Sequence, residues 1–331
     1  MATRTKVSVI ATVLNEGQAI KKLMDSLANQ QRLPDEVIIV DGGSQDETVS
    51  TIQSYRNCFP LKVIISAGAN ISQGRNCAIE AAAGPIIAST DAGVRLSPAW
   101  LATLIAPFEQ PQPPQVVSGF FIPDPQTTFE VAMGATILPL ITDINPQTFL
   151  PSSRSIAFTK AAWQAANGYP EWLDYCEDLV FDFNLREQVG AFGFAPDAVA
   201  YFRPRGNLRA FFKQYYQYAR GDGKADLWRK RHAIRYLTYL LALPLLILTG
   251  WLVSPWWWLV GGILGGFGLF YKPYKRLGAS WHHLGLGQKI LAAAWAPAIR
   301  ITGDVAKMIG YPAGWYWRLR RIRSDERLRW R

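Results

Sequence analysis

A chain of 331 residues, 49% of them hydrophobic, is long enough for one large or two ordinary domains. Its net charge of +10 is uneven: residues 227–331 hold 17 Lys/Arg against 3 Asp/Glu, while residues 1–226 hold 18 against 22. A basic excess confined to the C-terminal third argues against nucleic acid as a partner of the N-terminal part.

The first residues, MATRTKVSVIATVLNEG, run straight into a strand pattern and carry no signal-peptide pattern. Apolar runs at 7–12, 36–40, 62–66, 86–90 and 116–122 read as strands. Helical spacing at 18–29, 46–55, 72–82 and 100–108 fills the gaps between them. This alternation predicts an α/β fold, a mostly parallel sheet with helices on both faces, whose ligands bind beyond the carboxyl ends of the strands. Asp41 follows the second strand and Asp91 the fourth, so both carboxylates reach that edge. Neither a GxxxxGK[ST] loop nor a GxGxxG after the first strand is found, which argues against triphosphatase and dehydrogenase chemistry. Further on, 128–141 reads as a helix, the stretch from Pro151 as loop, short strand, helix and turn, and a helix opens near Glu177. A long helix is expected over 208–231.

Residues 236–271 contain no Asp, Glu, Lys or Arg. Ser254-Pro255 divides them into spans 236–253 and 256–271, the first about 27 Å long at 1.5 Å per residue. Basic residues at both outer ends and Trp251, Trp256, Trp257 and Trp258 at the turn predict a transmembrane hairpin with both ends cytoplasmic. Gly261/Gly265 and Gly262/Gly266 have the small-xxx-small spacing of packed membrane helices. Residues 288–309 read as an interfacial helix interrupted by Pro297, and the basic tail as disordered or lying on anionic headgroups. The expected domains are 1–226 (catalytic), 227–276 (hairpin) and 277–331 (interfacial helix and tail).

Cys58, Cys77 and Cys176 show no CxxC spacing. His232, His282 and His283 all fall in the C-terminal third, so chemistry before it must use carboxylates, Arg and backbone dipoles.

Several stretches, in order, resemble the family 2 glycosyltransferases of GT-A fold: VSVIATVLNE, EVIIVDGGSQDET, NISQGRNCAIEAAAGPIIASTDAGV, YCEDLVF and QYARG. The hairpin and DVAKMIGYPAG resemble bacterial membrane-bound enzymes of succinoglycan-type exopolysaccharide assembly. The resemblance implies a Rossmann-like GT-A domain and transfer of a sugar from a nucleoside diphosphate sugar, with UDP as the nucleotide. It places Thr12, Asn15, Glu16, Asp41, Arg75, Asp91 and Arg220 at the donor, Asp91 on a Mg²⁺ or Mn²⁺ ion, Asp178 as catalytic base, and Glu177 and Gln217 at the acceptor. Six of these have a plainer alternative: Asp41 and Asp91 as turn formers, Asp178 as a helix-start charge, Arg75 paired with Glu80, Gln217 and Arg220 as an exposed helix face.

Two departures stand out. The D-x-D motif reads Asp91-Ala92-Gly93, without its last carboxylate, and the Trp of the Q-x-x-R-W segment is Gly221. The second favours addition of a single sugar. The expected activity is inverting transfer to a lipid-linked acceptor at the cytoplasmic face of the cell inner membrane, with membrane lipids as further partners. Alternatives are a polyprenyl-phosphate sugar transferase and a non-catalytic sugar-nucleotide-binding membrane protein.

Overall fold

Runs such as VSVIATV and EVIIVD, apolar at nearly every position, have to be covered on both faces, which parallel strands flanked by helices achieve. The computed structural model describes residues 5–329. The chain forms two compact units: one runs to Asp124 and resumes over Ile141–Arg203, the other takes Pro125–Leu140 and everything from Pro204.

The first unit begins with β1 (Val7–Val13), α1 (Lys21–Ala28), β2 (Glu36–Asp41), α2 (Thr48–Gln53), β3 (Leu61–Ile65), α3 (Ile71–Glu80) and β4 (Ile86–Ser89). It continues with β5 (Val94–Leu96), α4 (Trp100–Ile105) and β6 (Val116–Pro123). After α5 (Thr128–Ile137), which belongs to the second unit, come β7 (Ile156–Thr159), α6 (Lys160–Ala165), α7 (Glu177–Val189) and β8 (Gly193–Phe202). The strands make one sheet in the order β3-β2-β1-β4-β7-β6-β8-β5. β1 pairs in parallel with β2 and β4, β2 with β3, and β6 with β8; the pairings of β7 with β4 and β6 and of β5 with β8 are antiparallel. Alternate strand residues feed opposite faces. Val9, Ala11, Val37 and Ile39 pack with Leu23, Ile52 and Trp100, while Ile10, Ile38 and Val40 pack with Ile79, Trp163 and Phe181. The order reverses between β1 and β4, so the crevice of the sheet opens beyond their carboxyl ends.

The second unit contains α5, α8 (Leu208–Ala225), α9 (Arg229–Tyr236), α10 (Leu243–Leu252), α11 (Trp256–Ala279) and α12 (Leu286–Arg321). The boundary expected at 226/227 falls inside this unit, because α8 packs against α12 almost backbone to backbone. A Cβ at Gly310 would meet Tyr216 O at 2.2 Å, and one at Gly314 would meet Arg220 O at 2.1 Å. The long helix expected over 208–231 is two helices. Asp226 and Trp228 both take left-handed φ of 58°, with Leu227 fully buried between them. α9, a wider-wound turn at Leu237–Ala242 and α10 join into one helix, Arg229–Leu252, long and apolar enough to cross a membrane. α11 outruns the expected second span by eight residues, to Ala279. Its contact with α10 uses Gly250, whose Cβ would meet Trp258 at 2.0 Å, and Gly261, whose Cβ would meet Leu246 at 2.2 Å. Gly262, Gly265 and Gly266 face open space, so the small-residue spacing accounts for only one of the four glycines it named. α12 is longer than the expected 288–309. It continues through Pro297 and Pro312 to Arg321 and is followed by a short turn at Glu326–Arg329, so this part of the tail is folded rather than disordered.

Candidate active site

The site starts where β1 and β2 end. Val13 pairs with Asp41, which brings the two following loops side by side. The Asp41 carboxylate, 1% exposed, accepts from the backbone of Gly43 at 3.0 Å and Ser44 at 2.9 Å, and from the Ser44 hydroxyl. That turn needs a glycine: Gly43 has φ of +101°. Asn15, itself at φ 53°, donates its backbone N–H to Ser44 Oγ at 2.8 Å and accepts from Gln45 N at 2.9 Å. Glu16 and Gly17 donate their backbone N–H groups to Thr48 Oγ1. Thr12 lies against α3, where a Cβ on Gly74 would come within 2.7 Å of its methyl group. Thr12, Asn15, Glu16 and Asp41 therefore share one edge of the crevice. Asp41 is a turn former in structure, with three of its roughly four acceptor positions used.

The opposite edge is built from α3, the end of β4 and the start of α7. Asn70 caps α3 in a reciprocal pair with Gln73. Arg75, one turn in and 2% exposed, donates from Nη1 to Glu177 Oε1 and from Nη2 to Asp91 Oδ1, both at 2.8 Å. Glu80 is not among these partners. Arg154 Nε lies 3.3 Å from Asp91 Oδ2, and its guanidinium stacks over Phe202 at 4.5 Å. The carboxylate ending the β4 run thus bridges two arginines, which is what an anion at a buried strand end requires. Asn76 holds the loop after α6: its Oδ1 accepts from Tyr169 N at 2.9 Å and Trp163 Nε1 at 3.1 Å. Tyr169 in turn lies under Arg75, 5.1 Å from its guanidinium.

α7 opens from Cys176, a non-glycine at φ 64°, a sparsely populated conformation. Glu177 and Asp178 occupy its first turn, where the helix dipole favours negative charge. Burial and the neighbouring charge of Asp178 push Glu177 up to about 7, with Arg75 opposing. Burial also raises Asp178, against Arg75 and Arg154. Asp182, 2% exposed and one turn further, is raised well above the carboxylate range, again by burial and then by Asp178. Half-buried Asp178 has the chemistry of a base: its Oδ1 accepts from the backbone of Leu179 at 2.9 Å, and its raised pKa increases its proton affinity.

Asp91, Arg75, Glu177 and Asp178 are brought together; Gln217 and Arg220 lie on α8, in the second unit. Arg154, Tyr169 and Asp182 were not singled out from sequence. Asp182 could have been, since it is four residues from Asp178 on the same helix face. Arg154 sits in a turn-rich stretch without periodicity.

The side chains do not fit a divalent cation in this arrangement. Asp91 is one carboxylate with a guanidinium at each oxygen, and Gly93 supplies no second acid. Among the described residues no group of three His, Cys, Asp or Glu could hold a metal ion.

Residues 8–161 match the family model described as glycosyl transferase family 2. The chain is 28% identical over 117 residues to a validoxylamine A glucosyltransferase of Streptomyces hygroscopicus subsp. limoneus, covering 34% of this chain and 26% of that protein. It is 33% identical over 106 residues to the uncharacterized glycosyltransferase YibD of Escherichia coli (strain K12), covering 32% and 31%. The matches span about a quarter to a third of these curated relatives. Among solved structures, the mannosyltransferase PcManGT from Pyrobaculum calidifontis, in complex with GDP-Man and Mn²⁺, aligns over 93% of this chain and 88% of its own. Its TM-score is 0.55 at 18% identity, a likeness of fold. Residues 8–161 thus match a glycosyl transferase family 2 model, and the chain around them has a GT-A-like α/β fold.

Proposed function

We propose that the protein is an inverting glycosyltransferase that moves one sugar from a nucleoside diphosphate sugar, with UDP as the nucleotide, to a lipid-linked acceptor at the cytoplasmic face of the inner membrane. The observation that carries this reading is the crevice beyond β1 and β4, with the Asp41 loop on one edge and Arg75, Asp91, Arg154 and Asp178 on the other. Asp178 takes the proton of the acceptor hydroxyl, the hydroxyl oxygen bonds to the anomeric carbon, and the bond to the diphosphate breaks with its electron pair. The guanidinium of Arg154, about a quarter exposed, offers positive charge to the departing diphosphate. One displacement inverts the anomeric carbon. Thr12, Asn15, Glu16 and Asp41 are assigned to the donor base and ribose, Arg220 to the donor, Glu177 to orienting the acceptor edge through Arg75, and Gln217 to the acceptor.

The membrane assignment is supported by the 24-residue helix Arg229–Leu252 and by the exposed apolar residues Leu252, Ile263, Leu264 and Phe267 of the hairpin. Trp251, Trp256, Trp257 and Trp258 are exposed at its turn, and basic residues flank both outer ends. Both termini are then cytoplasmic, and the product belongs to an exopolysaccharide or other cell-envelope glycan.

The test is incubation of membranes holding the protein with labelled sugar nucleotides and extracted lipid acceptors, followed by analysis of linkage and anomeric configuration. A retained configuration, or no transfer from any nucleoside diphosphate sugar, would overturn the proposal. Transfer to polyprenyl phosphate that survives Asp178→Asn would replace it with the polyprenyl-phosphate reading, because a phosphate acceptor needs no strong base.

A further inference from the structure

Within the second unit, α5, α8, α11 and α12 enclose a cavity of about 410 Å³, inside the size range of small-molecule sites, about 300–1,000 Å³. Lys272 and Arg276, near the end of α11, line it together with Arg300 and Lys307 of α12. The carboxylate in its wall, Asp304, is already shared. It accepts from Arg235 Nε at 2.7 Å, from Arg300 Nε at 3.0 Å and from the Tyr239 hydroxyl at 3.1 Å. Phe211 and Tyr215 of α8 close the floor, with Lys307 4.8 Å from the Tyr215 ring. Gathering these cations is unfavourable by itself. Burial and the charge of Arg235 hold Lys307 down to about 8, with Asp304 opposing. An anion with several acceptor oxygens would relieve the repulsion and take charge-assisted hydrogen bonds from the same groups.

The surroundings say what carries that anion. From Trp256 to Tyr271, α11 has no charged residue, and Ile263, Leu264 and Phe267 on it are 62–68% exposed. Lys272 is the first charge after that stretch and stands at the cavity mouth. A hydrocarbon chain lying along α11 would deliver its headgroup to Lys272.

We propose that this cavity binds the phosphate or diphosphate of the lipid-linked acceptor, held by Lys272, Arg276, Arg300 and Lys307. Its role as an acceptor site rests on the transferase reading above; the binding of a lipid phosphate does not.

The test uses the full chain in phosphatidylcholine nanodiscs titrated with geranylgeranyl diphosphate, with inorganic diphosphate and phosphatidylglycerol as comparison arms. The double variant Lys272→Gln/Lys307→Gln should weaken binding by about 100-fold, on the order of tenfold for each lost charged partner. Lys272→Arg/Lys307→Arg, which keeps both charges, should stay within a few-fold of wild type and controls for misfolding. Wild-type affinity in the Gln variant would overturn the site. Equal affinity for inorganic diphosphate would overturn the lipid, and displacement by phosphatidylglycerol at equal mole fraction would make this a phospholipid site instead. Sugar-nucleotide binding, followed separately, should be unchanged in the Gln variant. If wild type binds the prenyl diphosphate but transfers no sugar, the transferase reading fails and the lipid site stands.

Discussion

Arg75→Met removes a guanidinium that joins α3, the end of β4 and the start of α7. Arg75 is 2% exposed, and its guanidinium holds Asp91 and Glu177, each at 2.8 Å. Asp91 keeps Arg154, but Glu177, 7% exposed, is left without its cation. Breaking a buried pair from one side costs about 3–5 kcal/mol. At roughly 2–4 °C per kcal/mol for a unit of this size, Tm should fall by about 6–20 °C. The loss should depend on pH. Burial and Asp178 already place Glu177 at about 7 with Arg75 opposing, so loss of Arg75 raises it further. A stranded carboxyl is costly only when ionised. The deficit should therefore be small at pH 6, where Glu177 is protonated, and grow as pH rises through its raised pKa. Arg75→Met/Glu177→Gln should recover about 1.5–3 kcal/mol of it at pH 8, the scale of a hydrogen bond to a charged group. Thermal unfolding of the full chain in detergent, followed by near-UV circular dichroism at pH 6 and 8, reads all three quantities. A single variant within 2 °C of wild type at pH 8, or a double variant no better than the single, would refute the reasoning.

Asp178→Asn should lower turnover by about 10²–10⁴ while leaving sugar-nucleotide affinity unchanged; near-normal turnover removes the base. Because burial raises Asp178, and only its ionised form accepts a proton, wild-type activity should fall on acidification at a pH above the ordinary carboxylate range near 3.9. A pH profile flat down to 4 would contradict that. Gly93 has open space where a Cβ would stand, so Gly93→Asp can add the missing acid of the D-x-D motif without a clash. Combined with Arg154→Gln, which releases Asp91 Oδ2, it should make turnover rise with added Mn²⁺ more steeply than in wild type; matching Mn²⁺ titrations would show that these two residues do not set cation dependence. Gly314→Ala should destabilise by about 1–3 kcal/mol, since its Cβ would sit 2.1 Å from Arg220 O, whereas Gly262→Ala, facing open space, should cost nothing measurable in the same melting assay.

What the sequence makes legible follows from how locally each feature is determined. β1, β2, β4 and β6 are readable because strands largely covered on both faces are apolar almost throughout, and edge strand β3 is readable from its run of β-branched residues. β8 escapes because Pro196 and Asp197 interrupt it, where its register against β6 also shifts, and three-residue β5 is too short for any period to show. The break between α8 and α9 has neither Gly nor Pro to mark it; it is made by two ordinary residues, Asp226 and Trp228, bent around a buried Leu227. Conversely, Gly223 looks like a helix breaker but lies inside α8, where a Cβ would collide with Tyr311 O of α12 at 2.3 Å. The site divides in the same way. Asp41 and Asp91 are marked by their position after strands, whereas Arg75, Glu177 and Asp178 are marked by the motifs of the family resemblance. Their pairings are not, because Arg75 reaches Glu177 across 102 residues of chain, a contact created only when α3 and α7 contribute to the same core cluster. A carboxylate at the end of an apolar strand leaves two readings without any structure: a turn former, or an anion met by a cation. The family resemblance implies a metal ion, and the fold brings Arg75 and Arg154 to the Asp91 oxygens. On the second reading the requirement is electrostatic: it sets the sign of the partner and leaves its identity to tertiary contacts.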